Sequence, residues 1–445
     1  MNFFDWLKPG LGIKRWLLMM VFGIIIIGWG FYPFLYGTLD ISTSWKYRMM
    51  FLIIGCILVM ISGKPIRLFL IHLLDLSYTG LGNRNPMDRV SNGKKVLMRG
   101  PKVVVIGGGT GLSVLLRGMK KYTSNITAIV TVADDGGGSG KLREDLGMLP
   151  PGDIRNCILA LANTEPSMER LLQYRFEEGS LKGQSFGNLL IAAMNGISDN
   201  FEEAIRKMND VLAVTGKVLP VTLEDVTLYA KLKNGKVIKG ESQIPVKVRE
   251  LDSEIEQVFI KPENAKSLRE CVEAIASGDV IVLGPGSLYT SVIPNLLVPD
   301  LADAIKRSNA IKVYVANVMT QPGETDGYSV WKHLDAIVRH MKGQSIDYVF
   351  VNNELISKEV LHKYVEDGAE PVCLTPEDRR MIAQMGIHIV EGPFVEVKKK
   401  YIRHDAINLS EQIVKLALEE KYATDKLRIF DYYYLHDKLK KITKI

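Results

Sequence analysis

The sequence predicts an α/β fold in which a Rossmann-like parallel sheet carries helices on both faces. Apolar, β-branched runs end in glycine-rich loops and are followed by helical patterns, as is typical of buried parallel strands and their crossovers. Between residues 211 and 260 apolar and polar residues alternate, which predicts a β-rich excursion from this core. Two uncharged apolar runs near the N-terminus predict a transmembrane helical hairpin ahead of the α/β domain.

These patterns divide the 445 residues into four parts. In order, they are a transmembrane hairpin with a juxtamembrane helix (1–78), a linker (79–100), the α/β domain (101–423) and a basic amphipathic tail (424–445). We expect the tail to dock on its own domain, with the membrane surface as the alternative.

Composition excludes several classes of protein. The four cysteines lie far apart without a C-x-x-C pair, and the seven histidines lack metal-ligand spacing, so a disulfide framework and a zinc site are not expected. Residues 1–100 hold twelve Lys and Arg against four Asp and Glu, whereas the rest of the chain holds 44 against 46. This basic excess suits a membrane surface, and no basic, aromatic-interleaved stretch of the main body predicts nucleic-acid binding.

The N-terminal hairpin rests on two runs without charged residues, 16–37 and 49–63. About 20 apolar residues span a bilayer, and flanking cations can accommodate the shorter second run. Cations outside the hairpin outnumber those in its turn, which places both ends, and hence the main domain, in the cytoplasm. We therefore predict a two-pass protein of the cell membrane. A cleaved signal peptide is the alternative, but the first run has no small-residue cleavage site.

A strand over Val103–Ile106 breaks into the first glycine-rich loop, after which a helix is predicted over Leu112–Tyr122. The candidate ligand-binding residues in this loop are Gly107, Gly108, Gly109, Thr110 and Gly111. Glycines let the backbone approach a ligand, and the helix N-terminus favours phosphate. Leu112 stands where the dinucleotide fingerprint has its third glycine, so the loop favours NAD only weakly. A glycine-rich turn without a ligand is the alternative.

The second predicted strand, Ile126–Val132, leads into a loop with two aspartates. Its candidate site residues are Asp134, Asp135, Gly136, Gly137 and Ser139. An acidic residue at this place holds a ribose hydroxyl in Rossmann domains. The glycines also suggest a second backbone cradle, in which Asp134 and Asp135 would hold Mg²⁺ against phosphates. An Asp-Gly turn capped by its own side chains is the alternative.

Polar helix starts supply four further candidates, which are Asp153, Arg155, Asn156 and Asn188. Asp153 is predicted as an N-cap, and a site role for the first three remains open at this point. Asn188 opens a helix suited to an anion, although capping explains it equally well.

The core resumes with a strand over Asp279–Leu283 and a third glycine-rich loop. This loop contributes Gly284, Gly286 and Ser287, the last predicted as an N-cap. Two strand–glycine-loop–helix units in one sheet suggest a nucleotide diphosphate at the carboxyl ends of the strands. After a strand over Lys312–Ala316, Glu324 and Asp326 are candidate acid/base or metal groups. The strand Tyr348–Asn352 is expected to be the last of the main sheet.

Six motifs in order resemble the bacterial gluconeogenesis factor family, within the superfamily of 2-phospho-L-lactate transferase (CofD). They are Ile106–Ser113, Ala133–Gly140, Pro150–Asn156, Ser185–Leu189, Gly284–Ser287 and Val318–Thr325. The resemblance implies a cytoplasmic α/β domain that binds a UDP-sugar, notably UDP-N-acetylglucosamine. It also implies a role in cell shape and envelope precursor supply during growth on gluconeogenic carbon.

The resemblance implies two further ligand contacts near the C-terminus. A tyrosine and an arginine contact the nucleotide sugar in that family, and they match Tyr364 and Arg403. Gly138 departs from the family pattern, which more usually has a serine there, and many members lack a membrane hairpin.

The leading hypothesis is a membrane-tethered, UDP-sugar-binding regulator, because no nucleophile–base set is evident. We also expect a homo-oligomer and a protein partner in amino-sugar or envelope synthesis. The alternative is an Mg²⁺-dependent transferase similar to the phospholactate enzyme. An NAD(P)-dependent oxidoreductase is disfavoured by Leu112.

Overall fold

The computed structural model describes residues 13–36, 49–62, 97–343, 345–398, 401–422 and 432. The chain divides into two units, one containing residues 1–96 and 424–445 and the other residues 97–423. The predicted linker up to residue 96, the juxtamembrane helix and all of the C-terminal tail except residue 432 lie outside the described residues.

The N-terminal unit contains helix α1 (Ile13–Tyr36) and helix α2 (residues 49–62). The helices approach closely at two glycines, since a Cβ on Gly23 would lie 2.9 Å from Val59 Cγ2 and one on Gly55 would lie 2.6 Å from Ile27 Cγ1. No helix among the described residues is long and apolar enough to cross a membrane. At about 1.5 Å per residue, α2 is much shorter than a bilayer core. The transmembrane hairpin predicted for 1–78 is therefore not supported.

Seven parallel strands form the main sheet of the larger unit, in the order β10-β9-β8-β7-β1-β2-β3. They are β1 (Val103–Gly107), β2 (Ile126–Val130), β3 (Lys217–Pro220), β7 (Val280–Leu283), β8 (Ile311–Val315), β9 (Tyr348–Asn352) and β10 (His388–Gly392). Every residue of β1 and β7 is buried. Because successive side chains of a strand point to opposite faces, the centre of the sheet is covered on both faces, which confirms the predicted α/β fold.

Helices connect and cover these strands. They are α3 (Gly109–Met119), α4 (Gly137–Leu146), α5 (Gly152–Leu161), α6 (Pro166–Gln173), α7 (Phe186–Gly196), α8 (Phe201–Val211), α9 (Ile244–Leu251), α10 (Arg269–Ser277), α11 (Ile293–Leu296), α12 (Pro299–Arg307), α13 (Val330–His340), α14 (Lys358–Glu366), α15 (Pro376–Gln384) and α16 (Ala406–Lys421). A 3₁₀ turn (Glu241–Gln243) precedes α9 and a π-helical turn (Leu288–Val292) precedes α11.

The β-rich excursion is smaller than predicted. A separate antiparallel sheet, in the order β5-β4-β6, contains β4 (Thr227–Leu232), β5 (Val237–Lys239) and β6 (Ile255–Lys261). The strand β3 belongs instead to the main sheet, where Ile129 pairs with Leu219. Pro220 can end this strand because β3 lies at the edge of the sheet.

The prediction that β9 ends the main sheet is wrong, because β10 pairs with it in parallel. Most of β10 is half-buried or exposed, so it lacks the continuous apolar run that marks the other strands. An antiparallel hairpin follows, with β11 (Val395–Lys398) paired to β12 (Tyr401–His404).

Candidate functional site

The loops after β1 and β7 meet where the chain changes direction along the sheet. From β1 the chain continues to β2 and β3 on one side, and it later returns to β7 on the other. A Cβ on Gly111 would lie 2.7 Å from the carbonyl oxygen of Pro285, and one on Gly286 would lie 3.2 Å from that of Gly108. In open α/β sheets such a switch point forms a crevice that receives ligands.

Glycine is required in both loops for backbone reasons. Gly109 and Gly284 have φ angles of +66° and +79°, which L-residues with a Cβ rarely adopt. A buried amide supports the crevice from below, since Asn295 Nδ2 donates to the carbonyl oxygens of Gly107 (3.2 Å) and Ser291 (2.8 Å). Ser287 is the N-cap residue of the π-helical turn, as predicted, although its side chain makes no capping hydrogen bond.

Asp153 closes the first loop rather than capping its own helix. The N-cap of α5 is Pro151, and the Asp153 carboxylate accepts a hydrogen bond from the backbone N–H of Gly109. A Cβ on Gly108 would lie 2.6 Å from Asp153 Oδ2. Burial, followed by the charge of Asp134, raises the pKa of Asp153 to about 6. The predicted N-cap role of Asp153 is therefore wrong, and its ligand-binding role stays a prediction.

The second loop forms a turn around Asp134, whose Oδ1 accepts from the N–H of Gly136 at 2.9 Å. Ser139 also bonds to Asp134, and burial raises the pKa of this carboxyl. Asp135 points elsewhere, because its Oδ1 accepts from the N–H of Ser242 at 2.9 Å. Gly137 supplies the positive φ angle of +48° that opens α4.

Two glutamates from other parts of the chain complete a cluster of carboxyl groups at this edge of the sheet. Burial, together with the charges of Asp134, Glu324, Asp153 and Asp135, raises the pKa of Glu241 to about 8. Glu324 accepts from Thr290 and Gln321, and its burial raises its pKa to about 7. Protonated carboxyl groups here reduce the repulsion that an anionic ligand would meet.

The carboxylates of this cluster do not match a metal centre. In the part of the chain that the structure describes, no group of three or more His, Cys, Asp or Glu side chains could hold a metal ion. Asp134 and Asp135 are also both engaged by backbone N–H groups. Magnesium binding by this pair stays a prediction.

Arg155 and Asn156 form one connected group with the start of α7. The Arg155 guanidinium donates to Asn156 Oδ1 at 2.9 Å and to the hydroxyl of Ser185. Ser185 caps α7 by accepting from the backbone N–H of Asn188. Capping therefore uses the backbone of Asn188, and its buried side-chain Oδ1 has no hydrogen-bond partner among the residues that the structure describes.

Residues of the first loop and residues near the C-terminus together line a separate cavity of about 270 Å³. Its lining is Thr110, Gly111, Val114, Tyr364, Tyr401, Ile402, Arg403 and His404. Two predicted loop residues and both residues implied by the family resemblance thus lie around one space.

The hairpin β11–β12 positions the arginine of this cavity. The Tyr364 hydroxyl accepts from the N–H of Ile402 at 2.8 Å, and a ring nitrogen of His404 lies 3.1 Å from the carbonyl oxygen of Ala316 at the end of β8. Burial lowers the pKa of His404 to about 4, so this contact is made by a neutral imidazole at physiological pH. Arg403 is therefore held beside the first loop by neighbours on both sides.

The predicted candidates form two neighbouring groups. One group lies at the switch point and contains the first and third glycine loops and Asp153, with Tyr364 and Arg403 beside them. The other group lies toward β2 and contains Asp134, Ser139 and Arg155. Sequence reasoning missed Gln184, Glu241 and Ser242, which have no local motif. Asp326 accepts a hydrogen bond from the N–H of Gly323 in a turn, and its acid/base or metal role stays a prediction.

The fold and this crevice define a Rossmann-like α/β protein with glycine loops at a topological switch point. The family model described as 2-phospho-L-lactate transferase CofD matches residues 103–395. The chain belongs to the gluconeogenesis factor family of the CofD superfamily.

The relatives fall into longer and shorter proteins. A relative from Clostridium acetobutylicum is 49% identical over 447 residues, covering 100% of this chain and 98% of the relative. The gluconeogenesis factor of Bacillus subtilis is 46% identical, and the match covers 72% of this chain and 99% of that protein. The crystal structure of a UPF0052 family member from Bacillus halodurans has a TM-score of 0.67 and 49% identity, covering 70% of this chain and 98% of that one.

Proposed function

We propose that this chain binds UDP-N-acetylglucosamine in the crevice at the switch point and acts as a regulatory binding protein. The observation that carries the proposal is the cavity in which Thr110 and Gly111 of the first loop face Tyr364 and Arg403. The role in cell shape and envelope precursor supply on gluconeogenic carbon follows from the family resemblance.

The chemistry of the cavity suits a nucleotide sugar. The N-terminus of α3 offers backbone N–H groups and a positive dipole end to a diphosphate. Arg403 adds a cation that can form charge-assisted hydrogen bonds with phosphate oxygens. The neighbouring rings of Tyr364 and Tyr401 offer apolar faces with polar edges, which suits a sugar ring.

Equilibrium titration of the full chain with UDP-N-acetylglucosamine tests this proposal. We expect Arg403→Ala to weaken binding by at least about tenfold, since a hydrogen bond to a charged group is lost. Lys398→Ala is the matched control, because it removes a cation from the same hairpin but outside the cavity, and we expect it to keep the wild-type affinity. Equal affinities for wild type and Arg403→Ala would refute the proposal.

We also propose that the N-terminal helices attach the protein to a membrane, with the α/β unit in the cytoplasm. Large apolar side chains of α1 and α2 are exposed, including Leu18, Phe22, Trp29 and Met60. Exposed apolar patches of this kind favour a lipid surface. The attachment brings the binding unit close to the site of envelope synthesis, where we expect its protein partner.

Cell fractionation tests the attachment. We expect the full chain to pellet with membranes, whereas Phe22→Asp together with Ile25→Asp should shift it to the supernatant. Leu355→Asp is the control, because this residue is also exposed but lies in the α/β unit. A wild-type chain that stays in the supernatant would contradict the attachment.

A transferase is the second candidate, and the match to the CofD family model favours it. The buried carboxyls Asp153 and Glu324, with pKa values of about 6 and 7, would be its acid/base groups. Under the regulatory proposal we expect no product when the full chain is given GTP-activated phospholactate and a deazaflavin acceptor, with or without magnesium. Product that is lost in Asp153→Asn would establish the transferase instead.

A further inference from the structure

A second cavity, of about 870 Å³, lies in the α/β unit away from the glycine loops. The strand β6, the helix α12 and the end of helix α13 all contribute to its lining. Clefts that take up ligands have volumes of about 300–1,000 Å³, so this cavity is large enough to hold one. None of the candidate residues of the nucleotide site lines it, and it is therefore a separate site.

The strand β6 turns a free backbone edge toward this cavity. It is an edge strand of the sheet β5-β4-β6. The carbonyl of Leu228 in β4 accepts from the N–H of Gly240 beyond β5 at 2.8 Å, and Leu228 pairs with Ile260 of β6. Because both backbone groups of a strand residue point the same way, those of Ile260 point away from β4. The same holds for Val258, two residues earlier.

Only one of these outward groups is satisfied. The N–H of Val258 donates to Nε2 of His340, at the end of α13, at 3.0 Å. The C=O of Val258 and both groups of Ile260 have no hydrogen-bond partner in the part of the chain that the structure describes. Backbone pairing along this edge can therefore run past Ile260 as far as the C=O of Val258, where the imidazole ends it.

Cations line the cavity near this imidazole. The helices α12 and α13 end just before β8 and β9, which are neighbouring parallel strands, so both helices end at the same end of the sheet. Lys306 in the last turn of α12, and Arg339 and Lys342 at the end of α13, line the cavity. Arg339 forms an ion pair with Asp335 at 2.9 Å. Among the described residues, Lys306 and Lys342 form no ion pair.

The acidic residues of the lining do not cancel this charge. Glu256 of β6 is already paired with Lys231 at 2.8 Å. Asp303 lies about one turn before the end of α12, and Glu263 lies beyond the far end of β6. The end of the cavity at His340 is therefore suited to a carboxylate.

We propose that this cavity binds an extended peptide of a partner protein, which adds to β6 as an antiparallel strand with its acidic carboxyl end beside Lys306 and Lys342. The peptide residue opposite Ile260 exchanges two backbone hydrogen bonds with it, and a residue two further on donates to the C=O of Val258. The side chains of Val258 and Ile260 are 3% and 2% exposed, so packing holds the edge in place before binding. The inference does not rest on the proposed nucleotide site.

Fluorescence anisotropy tests the proposal with the full chain and a labelled octapeptide of alternating threonine and valine that ends in two glutamates. Backbone pairing does not depend on sequence, so we expect saturable binding with a Kd below about 1 mM. The same peptide ending in two lysines should bind at least about threefold more weakly. N-methylation throughout the glutamate peptide removes the donors to Ile260 and Val258 and should weaken binding at least about fivefold.

Charge reversal tests the acidic end. Lys306→Glu together with Lys342→Glu should weaken the glutamate peptide at least about threefold and favour the lysine peptide. Arg307→Glu together with Lys332→Glu is the matched control, because these exposed cations lie on the same two helices but outside the cavity. The control should keep the wild-type preference. A wild type that does not distinguish the two peptides would overturn the assignment of the acidic end.

Amide hydrogen exchange locates the peptide on the chain. The free N–H of Ile260 should exchange more slowly when the glutamate peptide is bound, whereas that of Phe259, which faces β4, should change little. The proposal is overturned by the absence of saturable binding below about 1 mM, by equal binding of the N-methylated peptide, or by unchanged exchange at Ile260.

Discussion

Gly111 lies where the helix after β1 meets the loop after β7, and its size decides how closely the two approach. An added Cβ would stand 2.7 Å from the carbonyl oxygen of Pro285 and 2.9 Å from its carbon, both backbone atoms that cannot rotate away. The motif Ile106–Ser113 predicts a glycine loop here. It does not reveal that the loop is packed against another loop nearly 180 residues further along the chain.

Gly111→Ala should therefore both destabilise the protein and weaken ligand binding. We expect a loss of about 1–3 kcal/mol in the free energy of unfolding, as for other overpacked positions. Thermal unfolding and UDP-N-acetylglucosamine titration measure the two effects. Gly196→Ala is the control, because nothing lies within 4 Å of its added Cβ, and its stability should change by less than about 0.5 kcal/mol. Equal behaviour of the two variants would contradict the close packing of the loops.

The raised pKa of Glu241 makes stability depend on pH. Its pKa moves from 4.5 to about 8 on folding, so between these values the folded state holds a proton that the unfolded state has lost. The stability that Glu241 contributes to the folded state is therefore present at low pH and is lost as the pH rises through this range. The buried His333 and His404, with pKa values lowered to about 4, act in the opposite direction, but only below pH 6.5.

We expect the free energy of unfolding of the wild type to fall more steeply between pH 6.5 and 8 than that of Glu241→Gln. The slope contributed by one proton is at most about 1.4 kcal/mol per pH unit. Urea denaturation at a series of pH values measures it, with the exposed Glu263→Gln as control. Parallel profiles for wild type and Glu241→Gln would show that this carboxyl does not titrate as described.

At the scale of elements, the helix α16 holds the C-terminal part of the site in place. It packs on α3 where a Cβ on Gly118 would overlap the carbonyl oxygen of Ala406. Its N-cap is Asp405, whose Oδ1 accepts from the N–H groups of Ile407 and Asn408, both at 3.0 Å. Arg403 lies two residues before this cap, so the cap stabilises the end of the hairpin that carries it.

Asp405→Ala should lower the free energy of unfolding by about 1 kcal/mol, as expected for the loss of a capping side chain. We also expect weaker UDP-N-acetylglucosamine binding, because the hairpin end becomes less well held. Ser357→Ala is the matched control, since Ser357 is the N-cap of α14 but its side chain makes no capping hydrogen bond. Chemical denaturation should then show a lower free energy of unfolding for Asp405→Ala than for Ser357→Ala. An Asp405→Ala variant as stable as the wild type would overturn this role for the cap.

Elements with continuous apolar runs were predictable, and the others were not. The apolar runs Val103–Ile106 and Val280–Leu283 mark strands that are buried throughout, because both faces of a parallel sheet are covered. The strand His388–Gly392 has no such run, since it pairs at the edge of the sheet and is mostly half-buried or exposed. The strand β3 was assigned to the excursion because it has only four residues and ends at a proline, although three of the four are buried.

At the scale of the whole molecule, the unit 97–423 contains the sheet, the crevice and the cavity. The Bacillus subtilis gluconeogenesis factor is covered over 99% of its length by 72% of this chain, so a protein of that size is enough for the family. The binding unit is therefore expected to fold without the N-terminal helices.

A fragment of residues 97–423 should unfold cooperatively and bind UDP-N-acetylglucosamine within about twofold of the full chain. The physical reason is that its core is closed by its own sheet and helices. Calorimetry and titration of the fragment beside the full chain provide the comparison. A fragment that folds but loses the ligand would show that the N-terminal unit contributes to the site.

The sequence by itself determined the α/β class, the three glycine loops and, through six ordered motifs, the family. These features are local, because apolar runs, glycines and motif spacing are properties of neighbouring residues. Only the tertiary structure decided that Asp153 bonds to Gly109, that the charge of Asp134 acts on Glu241, and that Arg403 and Thr110 line one cavity. The members of these pairs are about 40 to 290 positions apart, and the order of strands in the sheet, rather than any local pattern, brings them together.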